Sequence, residues 1–300
     1  MTPALRNAAG ASAPQHFFLS SEERVRILRP DQQARKKRQK KRQRIPLNVF
    51  CLCQKIHSKQ CVICYFKHGL KPANKMYTSA RQLLPAFPGQ HVLGSAIKRA
   101  EDLTARAAEL GGHAHPVTRD ALRELLRNMN SYYSNRIEGQ STTPRNIDAA
   151  LHQQFSDQPE IARLQRIAVA HIDAEKALEA STVLGQPLNA NSVLMAHRAH
   201  YSRLEPIDRV TQDGAVIEPG QLRHADVVVG RHAPPSWDSV PAFMAEFSRH
   251  YDREYAWAMR LIAIACAHHR MAWIHPFMDG NGRAVRLQTH VAMLPITHGL

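Results

Sequence analysis

The stretch IHPFMDGNGRAVR, Ile274–Arg286, gathers a histidine, an acid, a Gly-Asn-Gly turn and two arginines into one short run. Glycine and asparagine let the backbone take positive φ and come close to a ligand, so Gly280-Asn281-Gly282 reads as a tight loop. From Arg283 no helix breaker occurs until Pro295, which predicts a helix opening at the end of that loop. A loop that opens a helix aims unpaired N–H groups and the positive end of the helix dipole at one spot, a seat for phosphate. Arg283 and Arg286, three apart on one helix face, reach the same anion. Asp279 is an oxygen donor of the kind that phosphate-bound magnesium takes. His275 has an ordinary pKa near neutrality and is the candidate general base. Each residue taken singly fits a polar, capped helix start; together they are the parts of nucleotide chemistry.

His275-Pro276-Phe277-Met278-Asp279-Gly280-Asn281-Gly282-Arg283-Ala284-Val285-Arg286 resembles the Fic-domain motif H-P-F-x-[D/E]-G-N-G-R-x-x-R at every fixed position. The resemblance, which covers about residues 83–300, implies transfer of AMP from ATP to a Ser, Thr or Tyr hydroxyl of a target protein. By the same resemblance His275 takes the hydroxyl proton and Asp279 holds Mg2+. Asn281, with the backbone of Gly280 and Gly282, cradles the α- and β-phosphates, and Arg283 and Arg286 hold the phosphate tail. The related Doc branch, which transfers phosphate, has Lys where Gly282 stands here.

Ser134-Asn135-Arg136-Ile137-Glu138-Gly139 is similar to the family's inhibitory pattern [S/T]-x-x-x-E-[G/N]. Ser134 and Glu138, four apart, share a helix face. The resemblance implies that Glu138 pairs with Arg286 and fills the place of the ATP γ-phosphate. Some relatives with this glutamate also remove AMP, which is the alternative activity of the same site. Between Arg209 and Arg231, β-branched residues and Gly/Asp turn signals suit a hairpin, the alternative being an irregular loop. Its position resembles the family's flap, whose edge pairs with an extended target segment. Gly220, Leu222 and Arg223 are the expected docking residues there, Gly220-Gln221-Leu222-Arg223 matching G-x-x-R.

The charge is unevenly placed. Residues 1–75 hold 17 of the 40 Lys+Arg and three of the 25 Asp+Glu, and so nearly all of the net +15. The run Arg35 to Arg44 (RKKRQKKRQR) reads as a solvated tail able to bind polyanions weakly. A catalytically silent polyanion-binding adaptor is accordingly the non-enzymatic alternative. Cys51, Cys53, Cys61 and Cys64, with His57 and His68, form the one zinc-like spacing, although Cys51-x-Cys53 is unusual for zinc. An odd total of five cysteines does not suggest a disulfide framework. No apolar run approaches the roughly 18 residues of a membrane span, and the N-terminus lacks a signal-peptide core. The expectation is a cytoplasmic protein without membrane contact, with self-association left open.

From about Leu83 the chain takes on helical periodicity, and a mainly α fold follows: a Fic-type helical bundle with a short β-hairpin flap. AIKRAEDLTARAAELGG is a helix stopping at Gly111-Gly112. TRDALRELLRNMNSYYSNRIEG is amphipathic with Thr118 as its cap, and EYAWAMRLIAIACAHHRMAWI is a buried central helix that delivers His275. Three divisions are expected: a basic extension at 1–82, a helical region with the inhibitory helix at 83–180, and a Fic catalytic core at 181–300. That core is expected to be truncated, since the chain ends shortly after Arg286 and the family's fold continues for further helices.

Overall fold

The computed structural model describes residues 77–140, 142–181, 188–211 and 214–297. The basic run Arg35 to Arg44 and the Cys51 to His68 cluster lie outside the described residues. Eight helices follow one another among the described residues: α1 (Gln90–His113), α2 (Pro116–Ile137), α3 (Pro144–Leu151), α4 (Pro159–Ala180), α5 (Ala190–Tyr201), α6 (Val240–Tyr251), α7 (Trp257–Ile274) and α8 (Asn281–Thr297). The fold is mainly α, as expected.

Local chemistry sets the helix starts. Pro116, Pro144 and Pro159 each stand at the start of their helix, where the missing N–H costs nothing and φ is already helical. Pro116 moves the start of α2 ahead of Thr118, which lies within the first turn; His115 is the cap, its Nδ1 accepting the Val117 N–H. Thr143 and Asn189 cap α3 and α5 through side-chain oxygens that accept main-chain N–H bonds. Helix α1 runs through Gly111-Gly112 to His113 instead of stopping there. Helix α8 starts earlier than expected, at Asn281, and carries Pro295 inside its last turn.

Helix α8 is the hub: it packs on α1, α2, α4, α5 and α7. The main apolar core joins α5, α6, α7 and α8, with Phe243, Phe247, Tyr251, Met271 and Phe277 wholly buried. Each large side chain so placed contributes about 1.5–3 kcal/mol of burial. Among the described residues no helix is long and apolar enough to cross a membrane.

The segment between α5 and α6 is a correction in detail. One continuous hairpin is replaced by two pinched turns, one closed by the Val210–Val216 bridge and one by the Val229–His232 bridge. Glu218-Pro219-Gly220 interrupts any ladder, Gly220 turning at φ +77°, and Arg223 then draws the chain into the body.

Candidate active site

Helix α7 ends at His275, which takes the left-handed conformation at φ +52° and whose N–H donates to the Met271 carbonyl at 3.1 Å. For a residue with a side chain this costs about 1–2 kcal/mol, and the turn it makes swings the chain from α7 into the loop before α8. The imidazole is half-buried, and desolvation pushes its pKa down to about 4, so it stands neutral and able to accept a proton at pH 7.

Phe277 and Asn281 lock the loop. The Asn281 carboxamide accepts the Phe277 N–H at 2.8 Å and donates to the Phe277 carbonyl at 2.8 Å. Its side chain is therefore spent on the loop's own shape, leaving the main chain of Gly280 and Gly282 to face a phosphate. Gly280, at φ +75°, lies flat on the Tyr201 ring where any Cβ would overlap the phenol. Asp279 is partly exposed, accepts the Gly280 N–H at 2.6 Å and faces Arg283 at 3.6 Å.

Both arginines of α8 are engaged by the end of α2. Arg286 donates to the Ser134 hydroxyl at 2.8 Å, the Ser134 carbonyl at 3.2 Å and the Glu138 carboxylate at 2.5 Å. Arg283, buried, donates to the Tyr201 hydroxyl at 2.6 Å and to the Gln140 carbonyl oxygen. The Glu138 carboxylate lies over Gly282, so close that a Cβ there would collide with it and with the Arg286 guanidinium. A carboxylate thus occupies the N-terminal end of α8, the position where the loop and dipole favour an anion. Ser134, Glu138, Arg283 and Arg286 come together although some 150 residues separate the two segments.

Gly220, Leu222 and Arg223 are placed differently from the expected docking edge. The Gly220 N–H donates to His197 Nδ1 at 2.8 Å, and Leu222 packs against the core. Arg223 is buried; its main-chain N–H donates to the Pro276 carbonyl at 2.8 Å, and its guanidinium to the carbonyls of His275 (2.9 Å), Ala225 (3.1 Å) and Pro235. A buried guanidinium must spend its donors on acceptors, so these residues brace the His275 turn. The exposed edge lies just beyond, at 226–232, where Val228 and Val229 face solvent. His232 pins that edge to the end of α7 by donating to the Trp273 carbonyl at 2.8 Å.

Three residues escaped the sequence reading: Gln140, His197 and Tyr201. His197 is buried between Phe277 and Tyr201, with ring centroids at 3.9 and 4.5 Å. Its Nδ1 accepts from Gly220, so the proton sits on Nε2, which donates to the Asp279 carbonyl at 3.2 Å. One ring thereby ties the Gly220 turn to the Asp279 loop. Burial lowers its pKa to about 4, which keeps that tautomer intact at neutral pH. Nothing local separates His197 from the other histidines among the chain's 18; only its spacing of four from Tyr201 was available as a signal.

The Fic/DOC family profile matches residues 187–293. A protein adenylyltransferase Fic from Drosophila ananassae is 31% identical over 122 residues, 40% of this chain and 22% of that protein. The Drosophila willistoni protein of the same name is 28% identical over 201 residues, 66% of this chain and 38% of that one. The chain thus spans less than two fifths of the length of these relatives. Among solved structures, Fic-1 from C. elegans shares the fold with a TM-score of 0.52 at 20% identity, over 68% of this chain and 57% of that one. The profile match over residues 187–293, the complete motif from His275 to Arg286 and the shared helical fold agree in likening this part of the chain to the Fic/DOC family.

Proposed function

We propose that this chain transfers AMP from ATP to a hydroxyl of a protein, and that the arrangement described above is its self-inhibited state. The observation that carries this reading is the Glu138 carboxylate seated over Gly282 and on Arg286, an acidic group in the seat of a nucleotide phosphate. In the active arrangement Arg286 and Arg283 hold the phosphates, together with the N–H groups opening α8. The target hydroxyl oxygen bonds to the α-phosphorus, its proton passes to the neutral imidazole of His275, and the bond from the α-phosphorus to the bridging oxygen breaks, releasing pyrophosphate.

Asp279 fits a magnesium ion carried by ATP: its second carboxylate oxygen is solvent-facing with only a 3.6 Å approach to Arg283. Mg2+ needs one or two carboxylates when substrate phosphates complete its shell, and it supplies neutralisation of the charge that develops on the phosphates. The 226–232 edge, beside His275, is the place for an extended target segment to pair.

The test is incubation of the intact chain and the Glu138→Gly variant with Mg2+ and ATP labelled either at the α- or at the γ-phosphate. Covalent label from α-labelled ATP alone, stronger in the variant and lost in His275→Ala, is the expected result. Label from γ-labelled ATP would mean phosphate transfer and overturn the proposal, as would the absence of label in every form that binds ATP.

A further inference from the structure

Helix α2 sits on the body with its polar side. Arg127, Ser131, Ser134 and Asn135 are its buried residues, while Leu122, Leu125, Leu126, Met129, Tyr133 and Ile137 are exposed, Leu125 by 56%. Apart from Tyr132, which packs on Ile147, Ala168 and Ile172, burial of apolar surface contributes little to holding α2 in place, and its seating rests mainly on specific polar contacts.

Those contacts run along one stripe. At the C-terminal end stand Ser134 and Glu138 on Arg286; midway the Ser131 hydroxyl donates to the Ala168 carbonyl of α4 at 2.8 Å. At the far end Arg127 enters a largely buried cluster with Glu175 and Glu179 of α4: its Nε is 3.4 Å from Glu175 and a second guanidinium nitrogen bonds Glu179, while the third bonds Glu124 of α2 itself. His290 of α8 donates to Glu179 at 2.7 Å and lies 3.6 Å from Glu175. Arg127 and Glu138 are 11 positions apart, close to three full turns, and so lie on the same side of the helix about 16 Å from one another. His290 stands one turn beyond Arg286 on α8, so α8 meets both fastenings.

We infer that Arg127, with Glu175 and Glu179, is a second latch that seats α2 and sets how firmly Glu138 holds the phosphate site. The inference rests on the reading of Glu138 as an inhibitor. A helix held only by Glu138 and Ser134 swings aside when ATP phosphates compete for Arg286. Held also at Arg127, it moves only if a buried guanidinium leaves the buried Glu175 and the partly buried Glu179, which then keep only His290, and breaking such a contact is costly because the carboxylates stay largely desolvated. The ATP concentration needed to displace Glu138 is thereby governed from a place that touches neither ATP nor target.

Removing Arg127 alone leaves Glu175 and Glu179 with His290 as their one basic neighbour in the cluster, so the informative variant removes all three charges, Arg127→Gln with Glu175→Gln and Glu179→Gln. Arg127→Lys, which keeps the charge but loses the planar fork, is the milder companion and carries the test if the triple variant does not fold. Two quantities are measured on the full chain: hydrogen exchange of residues 116–137 and labelling from α-labelled ATP. In the triple variant exchange in α2 should quicken while α7 stays as in the parent. Labelling should rise on the order of tenfold, within the range usual for coupled sites, and Glu138→Gly added on top should give no further gain. Arg127→Lys should fall between parent and triple variant in both measurements. Unchanged exchange in α2 would overturn the latch. Faster exchange with parental labelling, in a protein whose Glu138→Gly variant does gain, would reduce the cluster to a structural contact and overturn its regulatory role. No gain in Glu138→Gly itself would instead bring down the inhibitory reading beneath it, an outcome visible without the triple variant.

Discussion

Replacing Glu138 by glycine takes away the carboxylate that Arg286 holds and leaves the guanidinium free for ATP. The size of the effect follows from the contact. Arg286 donates three hydrogen bonds to the end of α2, one of them to the Glu138 carboxylate at 2.5 Å, with both side chains about one quarter exposed. A charge-assisted hydrogen bond contributes about 1.5–3 kcal/mol, and partial exposure and solvent screening reduce this to about 1–2 kcal/mol. The closed arrangement should therefore lose about 5- to 30-fold in population, and the initial rate of labelling at subsaturating ATP should rise by a similar factor. Arg286→Ala should lose activity whether or not Glu138 is present, because in the proposed mechanism the arginine that holds Glu138 also positions the phosphates. The double variant decides the matter: it should behave like Arg286→Ala. The assay is incorporation from α-labelled ATP over a range of ATP concentrations, with thermal unfolding to show that each variant is folded. A double variant as active as Glu138→Gly would refute Arg286 as a phosphate ligand, and a folded, ATP-binding Glu138→Gly with parental activity would refute inhibition by Glu138.

Four further outcomes are expected. His275→Ala should lower the labelling rate by on the order of 10²–10⁴, the usual loss for a general base, while ATP binding measured by calorimetry changes little. Since a base acts unprotonated and burial holds His275 at about 4, the rate should stay level as pH falls from 8 to well below 6; a decline centred near 6.5 in a stably folded protein would show that the imidazole titrates as an exposed one does. Asp279→Ala should raise the Mg2+ concentration at half-maximal labelling, and an unchanged magnesium titration would remove Asp279 as the ligand. Gly280→Ala forces a side chain into a left-handed turn and against the Tyr201 ring, and should cost about 2–4 kcal/mol in urea unfolding; a loss below half a kcal/mol would mean the loop shifts freely.

The loop between His275 and Arg286 was readable from the chain because its parts are neighbours. Glycine at two positions, an amide between them and arginines three apart dictate a loop that opens a helix, and local backbone preferences act over just such distances. Even so, Asn281 looked like a phosphate ligand and proves to be the clasp of its own loop, because a short carboxamide four residues from Phe277 finds main-chain partners first. The G-x-x-R segment was misplaced for a related reason. Composition marks turns, but whether Arg223 faces solvent or braces His275 depends on carbonyls more than fifty residues away.

What the sequence by itself determined is a mainly helical chain, the local geometry of one glycine-rich loop and the helix face shared by Ser134 and Glu138. Tertiary structure alone decided which residues face one another across the site: Gln140 and Tyr201 on Arg283, His197 beneath Asp279, and Glu138 over Gly282. It also decided the orientation of α2. An amphipathic period shows that a helix has two faces, and the ordinary inference turns the apolar one inward. Here the acceptors for Arg127 and the donor for Glu138 lie on α4 and α8, and since a buried charge must meet its partner, their positions turn the polar stripe inward and leave the leucines outside.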